Sequence, residues 1–376
     1  MSSRTKRGAK LVLFSLLPAV VLFLGAEIVV RVTGLDAASL KTRPLPEESA
    51  GLFRADPELF WSLRPNLTTG FRGAPVTTNG LGLRSPEIST KQPNEFRILS
   101  LGESSTFGVG VSTASTYTAL LAGLLKQQAP YRPVTAINAG VSAYSSFQSL
   151  TYLEQRGLEL QPDLILFYHE VNDYLPSSLR DSSHNEIGVL KTDKQLYESR
   201  VQRAHRTMIR VSALYRFFSR RQAYRRIRSF DSTGMLNPVL EIGLPDIAIG
   251  PRLEPAGESA DTDAGLKENM LGRRVSDDER LEILERLVAL ARGENIELIL
   301  IHPTYRYTER HECLLTRFCA RTGASMFEAY DALHPPDGEE GGLFLDTMHP
   351  NKEGHLRLAR DLAHFVVAQG ILEDGP

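Results

Sequence analysis

Ser104 is the residue around which a chemistry can first be drawn. The stretch 98–110, ILSLGESSTFGVG, takes an apolar run into Gly-Glu-Ser, and a sharp turn there exposes one hydroxyl where a strand leaves its sheet. A serine hydroxyl is a weak nucleophile until a base takes its proton and donors receive the oxyanion. Near the C-terminus, LFLDTMHPNKEGH places Asp346 three residues before His349. In a tight turn that spacing lets the carboxylate orient the imidazole while the other ring nitrogen faces a serine. Two further segments offer donors: INAGVSAYSS has the Gly140 N–H just past a strand, and FYHEVNDY has the Asn172 side-chain amide after another. Together these are the parts of an acyl-transfer site. A phosphate-binding loop at 102–110 is excluded, because no Lys-Ser/Thr follows the glycines.

Taken in order, Gly-Glu-Ser at 102–104, Asn-Ala-Gly at 138–140, Val-Asn-Asp at 171–173 and Asp-Thr-Met-His at 346–349 resemble the SGNH (GDSL-type) hydrolase family. The resemblance covers 96–173 and 296–372. It implies Ser104 as nucleophile, Asp346 and His349 as its partners, and Gly140, Asn172 and the Ser104 N–H as the oxyanion hole. It also implies a three-layer α/β/α, flavodoxin-like parallel sheet and no cofactor. Two positions depart from the family pattern: Glu103 stands where an Asp is usual, and Glu170 where a Gly usually precedes the asparagine. The second change bears on the backbone around Asn172.

The elements that must position these groups are legible as alternation. Apolar runs at 96–101, 134–138 and 164–168 read as strands, separated by helical patterns at 117–128 and 145–156. A helix over 277–292, a strand over 296–301, a helix over 311–321 and a last helix over 352–369 follow. Such alternation implies a parallel sheet covered on both faces, with functional groups at the strand C-terminal ends. Ser104, Gly140 and Asn172 all fall there.

The remainder of the chain is organised around that domain, which takes 96–173 and 275–376. Arg4, Lys6, Arg7 and Lys10 precede an apolar run over 11–30. As a helix that run is about 30 Å long, enough to cross a bilayer core. Basic residues ahead of it place residues 1–10 in the cytoplasm and the catalytic domain outside, periplasmic in a Gram-negative cell. Cleavage after Ala26 is disfavoured because Leu24 occupies the position where a small residue is wanted. Residues 31–95 are read as a linker with short strands that pack on the core, including Gly-Leu-Gly-Leu-Arg at 80–84.

Residues 174–274 are more than the fold needs and are read as a helical cap. Ten arginines lie from Arg200 to Arg228, with no acidic residue between Glu198 and Asp231. One or two amphipathic helices are expected there, either as a solvated face packed on the core or as a contact for anionic lipid headgroups or an acidic glycan. Residues 250–272 read as a mobile loop. Net charge is −2, so no global polyanion-binding signature exists, and the expected extracytoplasmic location argues against a nucleic-acid partner for the arginine-rich stretch. The two cysteines, Cys313 and Cys319, would lie about 9 Å apart on one helix, too far for a bridge. His302, His311, His349 and His355 lack paired zinc spacings, so no metal is expected. The expected function is an esterase acting on an acyl group, such as acetyl, of a glycan or lipid. An O-acyltransferase with the same triad and a non-catalytic glycan-binding scaffold are the alternatives.

Overall fold

The computed structural model describes residues 3–35, 51–56, 58–174, 178–180, 192–219, 248–250, 273–335 and 342–372, with side chains from residue 17 onward in the first helix. Five strands make one parallel sheet: β5 (Phe96–Gly102), β6 (Val134–Asn138), β7 (Leu164–Tyr168), β10 (Glu297–His302) and β11 (Met326–Glu328). Their spatial order is β6-β5-β7-β10-β11, which in order of appearance is the flavodoxin-like 2-1-3-4-5. β5 and β7 are buried at every position because helices cover both faces; β7 is accordingly a continuous largely apolar run, while β5 also buries Arg97 and Ser100.

Side-chain alternation sorts the core into two layers. Phe96 and Ile98 of β5, Leu164 and Leu166 of β7, and Ile299 and Ile301 of β10 pack under α3 (Tyr117–Gln128) and α11 (Lys352–Ala368). Their neighbours Leu99, Leu101, Ile165, Phe167 and Leu300 face α4 (Ser146–Tyr152) and α8 (Asp277–Gly293). The period of two sends adjacent residues to opposite faces. Helix starts are set by side-chain caps. Thr116 accepts from the Ala119 N–H, and Ser145 with Gln148 and Ser276 with Glu279 form capping boxes.

Two boundaries differ from expectation. The regular helix α4 ends at Tyr152 and a π turn, Leu153–Gly157, completes the run expected as helix to 156. A Cβ on Gly157 would lie 3.1 Å from side-chain atoms of Leu153 and Leu99, so the turn comes close to the sheet there. Helix α9 (Leu314–Thr322) starts three residues later than expected, because Cys313 is its extended cap and its N–H donates to Thr316 Oγ1 at 2.8 Å. Cys319 is buried in the helix and both thiols are free.

Residues 51–94 are fused to the core rather than hung from it. β1 (Phe53–Asp56) pairs antiparallel with β2 (Phe60–Leu63), and β3 (Thr68–Phe71) with β4 (Ala74–Thr77). Trp61, fully buried, meets Tyr144 edge-on at 5.4 Å, and Tyr144 Oη donates to the Trp61 carbonyl at 2.6 Å. Of the cap, β8 (Ser178–Arg180) pairs with β9 (Ala248–Gly250), and α6 (Asp193–Tyr197) and α7 (Arg200–Val211) are helices. Several of its described arginines are engaged within the protein: Arg206 stacks over Tyr197, Arg210 pairs with Glu58 and Arg274 pairs with Asp193. The expected mobile loop and arginines 220–228 lie outside the described residues.

The first helix, α1, runs over Ser3–Thr33 with Pro18 inside it. Among the described residues no helix is long and apolar enough to cross a membrane, and residues 11–16 of the expected span lie outside the described side chains. Arg31 donates to Glu27 at 2.7 Å, as expected for these neighbours. Glu27 does more: it accepts from Ser212 Oγ at 2.8 Å, from the Ala213 N–H at 2.7 Å and from the Leu214 N–H at 2.9 Å. A residue of α1 thus caps the turn that follows α7.

Candidate active site

Ser104 opens a four-residue helix, α2 (Ser104–Phe107), directly after β5. Close packing forces small residues around it. A Cβ on Gly102 would meet Thr106 Oγ1 at 2.0 Å, and one on Gly140 would meet the Phe107 nitrogen at 2.5 Å. Neither position has space for a side chain. Gly108 ends α2 in the left-handed region at φ 85°. The α2 carbonyls are then claimed by Arg84, the last residue of Gly-Leu-Gly-Leu-Arg. Its Nη1 donates to Phe107 O at 2.6 Å and Gly108 O at 2.5 Å, and Nη2 reaches Val111 O. The guanidinium also lies 4.6 Å over the Phe107 ring. Arg84 is a positioning residue that motif reading passed over; the apolar, glycine-spaced segment ahead of it was its only signal.

From the far end of the chain, residues 345–349 form a turn closed by the Leu345 N–H to His349 O bond at 2.8 Å and a bridge between Phe344 and Pro350. Within it Asp346 Oδ1 accepts from the Met348 and His349 N–H groups, each at 2.8 Å. Oδ2 accepts a hydrogen bond from His349 Nδ1–H at 2.7 Å, and Ser104 Oγ donates to His349 Nε2 at 2.9 Å. An ionised carboxylate only accepts, which fixes the proton on Nδ1 and leaves Nε2 as base. Partial burial works against the charge on Asp346. The His349 ring and the two amides outweigh it and hold the carboxyl well below the usual carboxylate range. The three residues predicted from spacing are therefore joined in one relay.

The predicted donors are placed less uniformly. Asn172 is buried in α5 (Val171–Tyr174) just past β7, and its Nδ2 gives one hydrogen to Tyr144 O at 3.0 Å. The turn holding it is braced on three sides. Glu103 Oε2 accepts from the Asn172 N–H at 3.3 Å, Asp173 Oδ1 accepts from the Ser146 N–H at 2.7 Å, and Tyr305 Oη accepts from the Val171 N–H at 3.1 Å. Gly140 lies against α2, but its N–H donates to Asn138 Oδ1 at 2.9 Å. In this form that amide is taken up by its own loop.

Glu103 is fully enclosed. Burial first, then the neighbouring Asp173 and Glu170, raise its carboxyl well above the ordinary range, which favours its protonated form. His355 does not join the relay; it is buried on α11, stacks on Tyr117 and accepts the Tyr117 N–H at 3.2 Å. Burial pushes it down to about 3. His302 is 2% exposed at the end of β10, between Glu328 and Cys313. A cleft of about 740 Å³, lined by Pro75, Arg84, Ser112, Thr118 and Asn138 among others, contains no triad residue.

No family model matches this chain, and no curated protein does. Solved structures with a similar course include an α/β hydrolase from the metagenome of Lake Arreo, Spain, at 18% identity over 77% of this chain and 100% of that one, TM-score 0.40. A putative lipolytic protein of the G-D-S-L family from Desulfitobacterium hafniense matches at 12% identity, 71% and 98% coverage and TM-score 0.38. An acetylxylan esterase from Geobacillus stearothermophilus matches at 14% identity, 74% and 95% coverage and TM-score 0.39. Likeness at this level does not carry their chemistry over. What this chain has of its own is a doubly wound α/β fold with a hydrogen-bonded Ser-His-Asp set at the C-terminal edge of its sheet, the equipment of a serine hydrolase.

Proposed function

We propose that the chain is a serine esterase of the SGNH type that works through an acyl-serine on an O-acyl group, acetyl in the simplest case, of a glycan or lipid. The observation that carries this is the continuous relay from Asp346 through His349 to Ser104. In the first step Ser104 Oγ attacks the ester carbonyl carbon as His349 Nε2 takes its proton; the C–O bond to the alcohol breaks and that proton passes to the leaving oxygen. Water then repeats the sequence on the acyl-serine. The oxyanion falls to the Ser104 N–H, at the first turn of α2, and to the Asn172 side-chain amide. Gly140 can join them only by giving up its bond to Asn138.

The same relay acylates a sugar if the cap keeps water from the acyl-enzyme, which is the transferase alternative. Membrane attachment belongs to the same reading. Four basic residues precede the apolar run, and Leu22 and Val32 of α1 stand 75% and 81% exposed, supporting an anchor that holds the catalytic domain outside.

The test is the Ser104→Ala variant of the full chain in detergent, assayed on p-nitrophenyl acetate and labelled with a fluorophosphonate. Turnover and label are both expected to vanish while the circular dichroism spectrum stays that of the wild type. Unchanged esterase activity would refute the assignment. Intact mass separates the two acceptors: an acetyl adduct that clears in buffer marks an esterase, and one that clears only with added sugar marks a transferase.

A further inference from the structure

A second polar cluster lies beyond the Asn172 turn, and the relay does not use it. Glu170, immediately past β7, His302, at the end of β10, and His311, in the loop before α9, bring ligand-competent atoms within 4.8 Å of one another. Glu170 and His302 are buried. Cys313 adjoins this group through His302, its Sγ lying 3.4 Å from His302 Nε2. Two ligands on a tetrahedral zinc, one sulfur at about 2.3 Å and one nitrogen at about 2.0–2.1 Å, lie roughly 3.5 Å apart.

The surroundings are those of a prepared metal site. His302 Nδ1 is held by Glu328 Oε2 at 2.8 Å, and His311 Nδ1 by the Glu309 carbonyl at 3.1 Å. Each ring is thus oriented by an oxygen on one nitrogen and keeps Nε2 for another partner, the arrangement that ligating histidines take. Thiolate, imidazole and carboxylate together select a borderline-soft dication over magnesium or calcium. Four protein ligands leave no open position, which is the pattern of a structural rather than a hydrolytic metal.

We propose that Glu170, His302, His311 and Cys313 bind one zinc-class divalent cation, which ties the turn bearing Asn172 to the end of β10 and to the cap of α9. Binding releases the Cys313 proton to solvent, and the carboxylate and thiolate together balance the charge of the ion. The glycine-to-glutamate departure at 170 then has a purpose: it supplies a ligand where the family pattern has no side chain.

The experiment uses the full chain in detergent, stripped with a chelator and titrated with Co²⁺. One equivalent is expected to give intense tetrahedral d–d bands and a thiolate-to-cobalt charge-transfer band, both erased by Zn²⁺. Cys313→Ser should lose the charge-transfer band. His311→Ala, at an exposed position that leaves the fold untouched, should weaken binding, and Glu328→Gln should weaken it about 10–100-fold. Ser104→Ala should bind cobalt like the wild type, so the outcome does not depend on the esterase assignment. A featureless titration, or a spectrum indifferent to both Cys313→Ser and His311→Ala, would overturn the proposal.

Discussion

Two carboxylates flank Ser104, and the protein asks opposite things of them. Asp346 lies in the 345–349 turn, 42% exposed, where two amides and an imidazole hold it charged. Glu103 lies in the floor beneath the Asn172 turn, where burial and two acidic neighbours raise its pKa well above the ordinary range. Environments that push two acids apart assign them different work. In the proposed reaction Asp346 stabilises the charge that forms on His349, whereas Glu103 accepts from a backbone amide and is biased toward its protonated form. A substitution that removes charge therefore ruins one site and suits the other.

The comparison breaks most readily at Asp346. Asp346→Asn should lower kcat/KM on the order of a thousandfold, because the amide can donate to Nδ1 and hold the wrong tautomer. Steady-state assay checks this, and a loss below tenfold would make Asp346 a spectator. Arg84→Ala comes next and acts through stability. It strips the donor from the carbonyls of Phe107, Gly108 and Val111, and a drop of about 3 kcal/mol in denaturant unfolding is expected, with activity falling in step.

The smallest effect, and the sharpest, is at Glu103. Its raised folded pKa means the native state holds a proton that the unfolded chain has already lost above about 4.3. Stability therefore declines as pH climbs from there toward the folded value. Glu103→Gln keeps an acceptor for the Asn172 N–H without that dependence. It should unfold at the same or higher temperature than wild type at pH 8, with the gap closing near pH 4. The charged acid behaves in reverse: the depressed pKa of Asp346 contributes stability that is full above about 3.9 and is lost as pH falls below it. A Glu103→Gln variant that is less stable at pH 8 would show Glu103 to be ionised.

These contrasts also show what a sequence can express. Strands at 134–138 and 164–168 and the helix at 117–128 fall where the apolar runs place them, since a strand covered by helices is largely apolar. The order Ser104, Gly140, Asn172, Asp346-x-x-His349 carried the relay because each piece is a local motif at a strand end or within one turn. Three things were not local. β11 spans three residues, too few for a period to register. Arg84 acts on carbonyls more than twenty residues later, contacts that only the folded chain makes. Glu170, His302, His311 and Cys313 come from three segments with none of the spacings that mark a zinc site, and sheet order alone sets them side by side. The Gly140 amide is a subtler case. Its position against α2 agrees with the motif, but the competing acceptor, Asn138 Oδ1, is part of that same motif.

The grip of Glu27 on residues 212–214 bears on how the enzyme is handled at the bench. Trimming the polypeptide after Arg31 to gain solubility would discard the acceptor for one hydroxyl and two amides at the start of a helical turn. The shortened protein would keep its relay but lose the brace between its first helix and its arginine-rich insertion. Acceptor preference measured on such a fragment would describe a looser cap than the one the complete chain carries.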